Sequence, residues 1–158
     1  MITYIPNFLS NSECEYYINL FKSNDIEFME WIQTYNKFGD DDVLKFYYND
    51  LTKNKFETDK FPNYIFKTLR IQMVNESIDQ CKAPHTHVNP WSFVIFLNEN
   101  FIGGELVFDN IEYEPKTGDM VYFSGEERHK LNNCVGNRYT LIGGMQNNPL
   151  KVKTGKLI

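Results

Sequence analysis

No run of apolar residues in this chain approaches the length needed to span a bilayer, and the first ten residues lack the charged start and apolar stretch of a signal peptide. Basic charge is also short, with 16 Lys and Arg against 21 Asp and Glu for a formal net charge of −5. That field repels phosphate backbones and anionic lipid, which argues against nucleic acid or a membrane surface as partner. Cysteine is scarce. Cys14, Cys81 and Cys134 are odd in number and show no Cys-x-x-Cys spacing, which fits a reducing compartment better than a secreted disulfide framework. The expected location is soluble and cytoplasmic. There is no internal repeat or low-complexity tract. The acidic run Gly39-Asp40-Asp41-Asp42 lacks the Asp-x-Asp-x-Asp-Gly order of a calcium loop and reads as a solvated turn.

What is present is aromatic and β-prone. With 13 Phe and 10 Tyr, 42% hydrophobic residues and 158 residues in all, the chain reads as one domain over 1–158, able to bury about two thirds of its unfolded surface. Residues 2–9 form an apolar lead-in. Ser10 with Glu13 is a capping box, and Cys14, Tyr17, Ile18 and Phe21 recur on one helical face, which predicts a helix over 11–22. Between Ile26 and Asn63, aromatic pieces (Phe28 to Trp31, Val43 to Tyr48) alternate with polar runs, and periodicity does not decide between helix and strand. Strand signals then follow at Tyr64–Val74, Trp91–Leu97, Glu105–Phe108, Met120–Phe123 and Arg138–Met145, separated by Gly, Pro and Asn turns. The class is β-rich (α+β), a sandwich or jelly roll with an N-terminal helix packed outside.

The chain holds three histidines. His85 and His87 are two apart, so on a strand both imidazoles face one point, and His129 can join them from a later strand. Imidazoles alone suit zinc, copper, iron or nickel. Arg138 and Thr140 likewise share a strand face, setting a guanidinium beside a hydroxyl; a buried arginine there calls for a carboxylate in its fork.

Over about Leu69 to Gln146 the sequence resembles the catalytic core of the prolyl-4-hydroxylase-like Fe(II)/2-oxoglutarate dioxygenases. The resemblance rests on Pro84-His85-Thr86-His87, Ser92 to Asn98, Gly103-Gly104-Glu105-Leu106-x-Phe108, Pro115-x-x-Gly118-Asp119-x-Val121-x-Phe123, His129 and Gly136-x-Arg138-Tyr139-Thr140. It implies a double-stranded β-helix with its core at about 64–146, Fe(II) and 2-oxoglutarate as cofactors, and hydroxylation of a peptide, amino acid or small molecule with release of succinate and CO₂. By position, it implies His85 and His129 as metal ligands and Arg138 with Thr140 as the holders of the distal carboxylate. Asn89 and Trp91, just after the His pair, are expected to line the mouth and touch substrate, with a place in the core as the equal alternative for Trp91.

This sequence departs from the family at His87, where the pattern has Asp or Glu. Three readings stay open: His87 ligates in a three-histidine site, it turns away and leaves a coordination position open, or catalysis has been lost. A second departure is upstream, where Gln72 to Glu76 offers no tyrosine for 2-oxoglutarate and Gln72 or Asn75 would have to substitute. The competing functions are a cupin-like three-histidine dioxygenase without 2-oxoglutarate and a non-catalytic metal- or ligand-binding jelly roll.

Overall fold

A computed structural model describes residues 1–23, 31–34, 45–48, 56, 59–77 and 82–148, the two short segments 31–34 and 45–48 as backbone only. The acidic turn at Gly39–Asp42, Cys81 and the polar tail lie outside the described residues. In chain order the elements are β1 (Ile2–Ile5), α1 (Asn11–Ser23), β2 (Trp31–Thr34), β3 (Lys45–Tyr48), β4 (Tyr64–Val74), β5 (Trp91–Phe96), β6 (Ile102–Gly103), β7 (Leu106–Phe108), β8 (Glu112–Tyr113), β9 (Met120–Ser124), β10 (His129–Leu131), β11 (Cys134–Val135) and β12 (Arg138–Asn147). Both aromatic pieces that periodicity left undecided contribute strands, β2 and β3.

The larger sheet runs β1-β9-β5-β12-β4-β3-β2, and facing it are the smaller sheets β10-β7-β8 and β11-β6. Every pairing is antiparallel. Sequence neighbours are not sheet neighbours: β12 pairs β4 on one side and β5 on the other. Sheet order scrambled in this way, with two sheets closing on each other, is the jelly-roll arrangement.

The central strands are buried on both faces, so their alternation separates two kinds of core rather than core from solvent. On one face Phe93, Ile95, Leu97, Met120, Tyr122, Tyr139 and Leu141 join Leu9, Cys14, Phe21, Phe56 and Phe61 in a cluster that seats α1. On the other, Phe96, Val121 and Phe123 meet Leu106 and Phe108 of β7 between the sheets. The helix starts as its sequence demands: Glu13 N–H donates to Ser10 Oγ at 3.1 Å and Ser10 N–H to Glu13 Oε1 at 3.0 Å. Cys14 is a packing thiol, and burial pushes its pKa up to about 11. No helix among the described residues is long and apolar enough to cross a membrane.

Candidate metal centre

Period two places the polar residues of β12 and β4 on the inner face. Arg138, Thr140 and Ile142 of β12 stand opposite Val74, Gln72 and Arg70 of β4. The inner face of β5 continues the floor, with Val94 opposite Ile142 and Ser92 opposite Gly144. Over this floor lies an open-mouthed cavity, whose lining includes His85, His87, His129, Arg138 and Thr140.

The three imidazoles reach the cavity by two routes. His129 opens β10, pairing with Phe108 of β7. His85 forms a single bridge to His129, its N–H donating to the His129 carbonyl at 2.8 Å and its carbonyl accepting from His129 N–H at 3.0 Å. Beyond it the backbone leaves the sheet, so the expected strand for His-x-His shrinks to one bridged residue. The reason is the following Asn89-Pro90 turn, where proline has no N–H to continue a ladder. His87 is brought back instead by docking on the turn after β9: its N–H donates to the Gly125 carbonyl at 2.9 Å, and Gly125 N–H donates to Pro90 O at 3.0 Å.

That docking needs glycine. A Cβ on Gly125 would collide with the Asn89 carbonyl oxygen and crowd that of His87 at 2.9 Å. Gly125→Ala is therefore expected to push the loop off its seat, costing about 1–3 kcal/mol of stability as for other overpacked sites. Metal affinity should fall about 10–100-fold with it, as when a group that supports a ligand is removed. A thermal melt with a parallel Fe(II) titration tests this, and wild-type values in both would refute it. The same close approach recurs across the floor. The Asn89 side chain lies directly over Gly144, and a Cβ there would strike its amide.

Donor chemistry sets the tautomers. His85 Nδ1–H donates to the Ala83 carbonyl at 2.9 Å and His129 Nδ1–H to the Glu127 carbonyl at 2.8 Å. A carbonyl can only accept, so both rings carry their proton on Nδ1 and turn a lone pair on Nε2 into the cavity. His87 Nε2 lies 3.0 Å from His129 Nε2. Two ligands at right angles on one ion, with bonds of about 2.1 Å, sit about 3.0 Å apart, so this pair is spaced as adjacent ligands. The three ligand atoms all lie within 4.8 Å of one another.

Burial lowers the pKa of His87 to about 4, with His129, His85 and Arg70 adding positive charge nearby. Burial also takes His129 to about 4, opposed in part by its bond to the Glu127 carbonyl. Both rings are thus neutral lone-pair donors at pH 7. In the unfolded chain they titrate near 6.5, so below that pH the unfolded state binds more protons. The metal-free protein should accordingly hold its stability above pH 6.5 and lose it progressively down to about pH 4. Urea midpoints at pH 7.5, 6 and 5 measure this, and a flat series would contradict it.

Arg138 is buried, its Nε–H donating to the Gly104 carbonyl at 2.9 Å and its guanidinium 5.5 Å from the Phe96 ring centre. Gly104 leaves room for it, since a Cβ there would lie 2.9 Å from Arg138 Cδ. Two residues on, Thr140 is fully buried, and its hydroxyl has no hydrogen-bond partner among the described residues. Gln72 is buried and lines the cavity, whereas Asn75 is turned outward to Asn137 and Ser77. Of the two residues expected at the mouth, Asn89 lines the cavity and Trp91 does not. The Trp91 ring packs on Tyr122, centroids 5.0 Å apart, in the cluster on the other face of the sheet. Trp91 shares the parity of Phe93 and Ile95 and packs with them on the face of the sheet away from this cavity. Arg70, Ser92, Gly125 and Gly144 belong to the site without having been singled out in the sequence. The signal for Arg70 was its two-residue step from Gln72, and for Gly144 a glycine inside a strand.

No protein-family profile and no curated protein matches the chain. By shape it is similar to an oxidoreductase of the 2OG-Fe(II) oxygenase family from Burkholderia pseudomallei, with 14% identity and a TM-score of 0.70 over 93% of this chain and 84% of that one. It is also similar to a prolyl-4-hydroxylase from Pseudomonas putida, at 16% identity and a TM-score of 0.63 over 93% and 92%. A third is the viral collagen prolyl hydroxylase of Paramecium Bursaria Chlorella virus-1 in its 2OG complex, at 15% identity and 0.59 over 93% and 96%. These likenesses establish the fold as a double-stranded β-helix with a helix packed outside.

Proposed function

We propose that the protein is an Fe(II)/2-oxoglutarate-dependent oxygenase, a hydroxylase of a peptide, amino acid or small molecule, with its metal held by His85, His87 and His129. The observation that carries this reading is the buried hydroxyl of Thr140, without a partner among the described residues, on the same strand face as Arg138 and in the cavity the imidazoles enter. A buried donor left unsatisfied costs about 1–3 kcal/mol, which a carboxylate held jointly with Arg138 would recover. When bound, iron and 2-oxoglutarate supply the oxidising chemistry, in which O₂ converts the keto acid to succinate and CO₂ and a substrate C–H bond is hydroxylated.

The chain's own part is binding, orientation and exclusion of water. Arg138 offers a planar fork fixed by Gly104 and Phe96, and Thr140 adds an O–H donor. His85 and His129 keep their Nε2 lone pairs aimed through their backbone bonds, and Leu106, Phe123 and Leu131 make that wall apolar. Among the shape neighbours, a prolyl hydroxylase from Trichoplax adhaerens was solved with a peptide fragment, which keeps peptides within the substrate class. The unpaired buried thiols of Cys14 and Cys134 suit a reducing, intracellular setting. The test is anaerobic addition of Fe(II) and 2-oxoglutarate to the purified protein. A weak visible charge-transfer band is expected, and its absence with metal demonstrably bound would overturn the proposal.

A further inference from the structure

At the end of the floor away from Arg138, two polar side chains meet over one glycine. Ser92 of β5 stands opposite Gly144 of β12, and the Asn89 carboxamide lies directly over the same Gly144. Both Ser92 and Asn89 line the cavity. Neither side chain has a hydrogen-bond partner among the described residues, although Ser92 is only 5% exposed. A buried hydroxyl and a half-buried carboxamide that open toward a cavity are groups a ligand has still to satisfy.

The backbone holds this pair in place. Asn89 is pinned from both sides, because His87 N–H donates to the Gly125 carbonyl and Gly125 N–H donates to the Pro90 carbonyl. Ser92 lies inside the β5 ladders, paired with Phe123 as well as Gly144. Groups fixed before a ligand arrives cost little to order on binding. The pair is also separate from the carboxylate end of the floor. Gly144 is four residues from Thr140 on β12, about 13 Å at about 3.3 Å per residue, farther than a five-carbon diacid held at Thr140 reaches. The metal ligands are nearer: Asn89 follows His87 by two residues, which span at most about 7 Å.

We propose that Asn89 and Ser92 are specificity residues for the oxidised substrate, and that they read a primary carboxamide at one end of it. The inference rests on the oxygenase reading for the existence of that second substrate. Donors and acceptors decide the group. The Asn89 side chain presents an N–H donor and a carbonyl acceptor on one edge, and another primary carboxamide answers both at once. The second N–H of that group, or the second lone pair of its carbonyl, is then left for the Ser92 hydroxyl, which can accept or donate. A carboxylate offers no donor and would leave the Asn89 carbonyl unanswered. A trans peptide group has its N–H and C=O on opposite edges and cannot close the same ring. The burial of Ser92 favours the end of a molecule over a chain that has to pass through. The side-chain amides of asparagine and glutamine, free or within a peptide, carry this group.

The test measures binding rather than turnover, by calorimetric titration of the anaerobic Fe(II)/2-oxoglutarate protein. The probes are asparagine and glutamine, the matching acids aspartate and glutamate, and short peptides with each of the four at an interior position, which separate the free amino acid from the peptide-borne amide. At least one amide should bind about tenfold or more tightly than its acid, since a site built to pair a donor rejects the analogue lacking it. Asn89→Asp keeps the shape but replaces the N–H donors with an acceptor, and should abolish that preference while leaving 2-oxoglutarate binding nearly unchanged. Ser92→Ala should weaken the amide by about tenfold, the worth of one hydrogen bond. No amide bound better than its acid in the wild type overturns the inference without recourse to a variant, and so does an undiminished preference in a folded Asn89→Asp protein. If the charge-transfer band fails to form yet the amide preference and its dependence on Asn89 persist, the amide site stands and the cosubstrate assignment alone falls.

Discussion

Replacing Arg138 with alanine is expected to raise the dissociation constant for 2-oxoglutarate by two to three orders of magnitude and to leave Fe(II) binding nearly intact. Truncating one partner of a buried, hydrogen-bonded charge pair costs about 2–5 kcal/mol, and Arg138 is such a partner, buried and held by the Gly104 carbonyl. Arg138→Lys should recover only a small part, because an ammonium cannot take a carboxylate in a fork and is too compact to spread over the Phe96 ring. The measurement is the charge-transfer band titrated with 2-oxoglutarate at saturating iron. A cupin-like three-histidine dioxygenase, which binds its substrate on the metal directly, predicts the reverse pattern: no band in the wild type, and an effect of Arg138→Ala confined to substrate binding. The third histidine gives that alternative its foothold, and Arg138 decides against it or for it.

How far this site could be read beforehand follows from which interactions leave a mark on local sequence. Arg138 and Thr140 declare themselves, because a strand repeats every two residues and charged or polar side chains at matching parity inside an otherwise apolar strand must share a face. His129 likewise sits at the start of a short strand whose Leu131 points into the core. Parity also held the answer for Trp91, but the run Trp91–Phe96 is apolar on both faces and its parity only becomes informative once Ser92 is known to face the cavity. Contacts between backbones far apart in sequence leave weaker marks. The seat of Asn89 on Gly144 and that of His87 on Gly125 appear in the sequence only as two glycines, one in a strand and one after it. Arg70 left only its two-residue step from Gln72, since its meaning depends on the register between β4 and β12, where it pairs with Ile142, 72 residues away.

His87→Ala should lower Fe(II) affinity by two to three orders of magnitude if His87 is a ligand, and by almost nothing if it turns away. The scale follows from structural zinc sites, where about 10–16 kcal/mol shared among four ligands gives about 2.5–4 kcal/mol for each. Geometry favours the loss. His87 Nε2 already lies 3.0 Å from His129 Nε2, the separation of adjacent ligands on one ion, and the His87 backbone is fixed by Gly125. In the metal-free protein the His87–His129 contact is a hydrogen bond, with His87 donating because the His129 proton is committed to Glu127. Binding a metal therefore requires His87 to carry its proton on Nδ1 instead, where no described residue accepts it. His87 should consequently be the weakest of the three ligands, lacking the backbone partner that orients His85 and His129. His87→Asp supplies the carboxylate in place of the imidazole, lowers the charge at the centre by one and removes the need for a tautomer change. It is expected to retain iron far better than His87→Ala. Equilibrium Fe(II) competition with a colorimetric chelator ranks the three proteins, and equal affinities for wild type and His87→Ala would remove His87 from the metal.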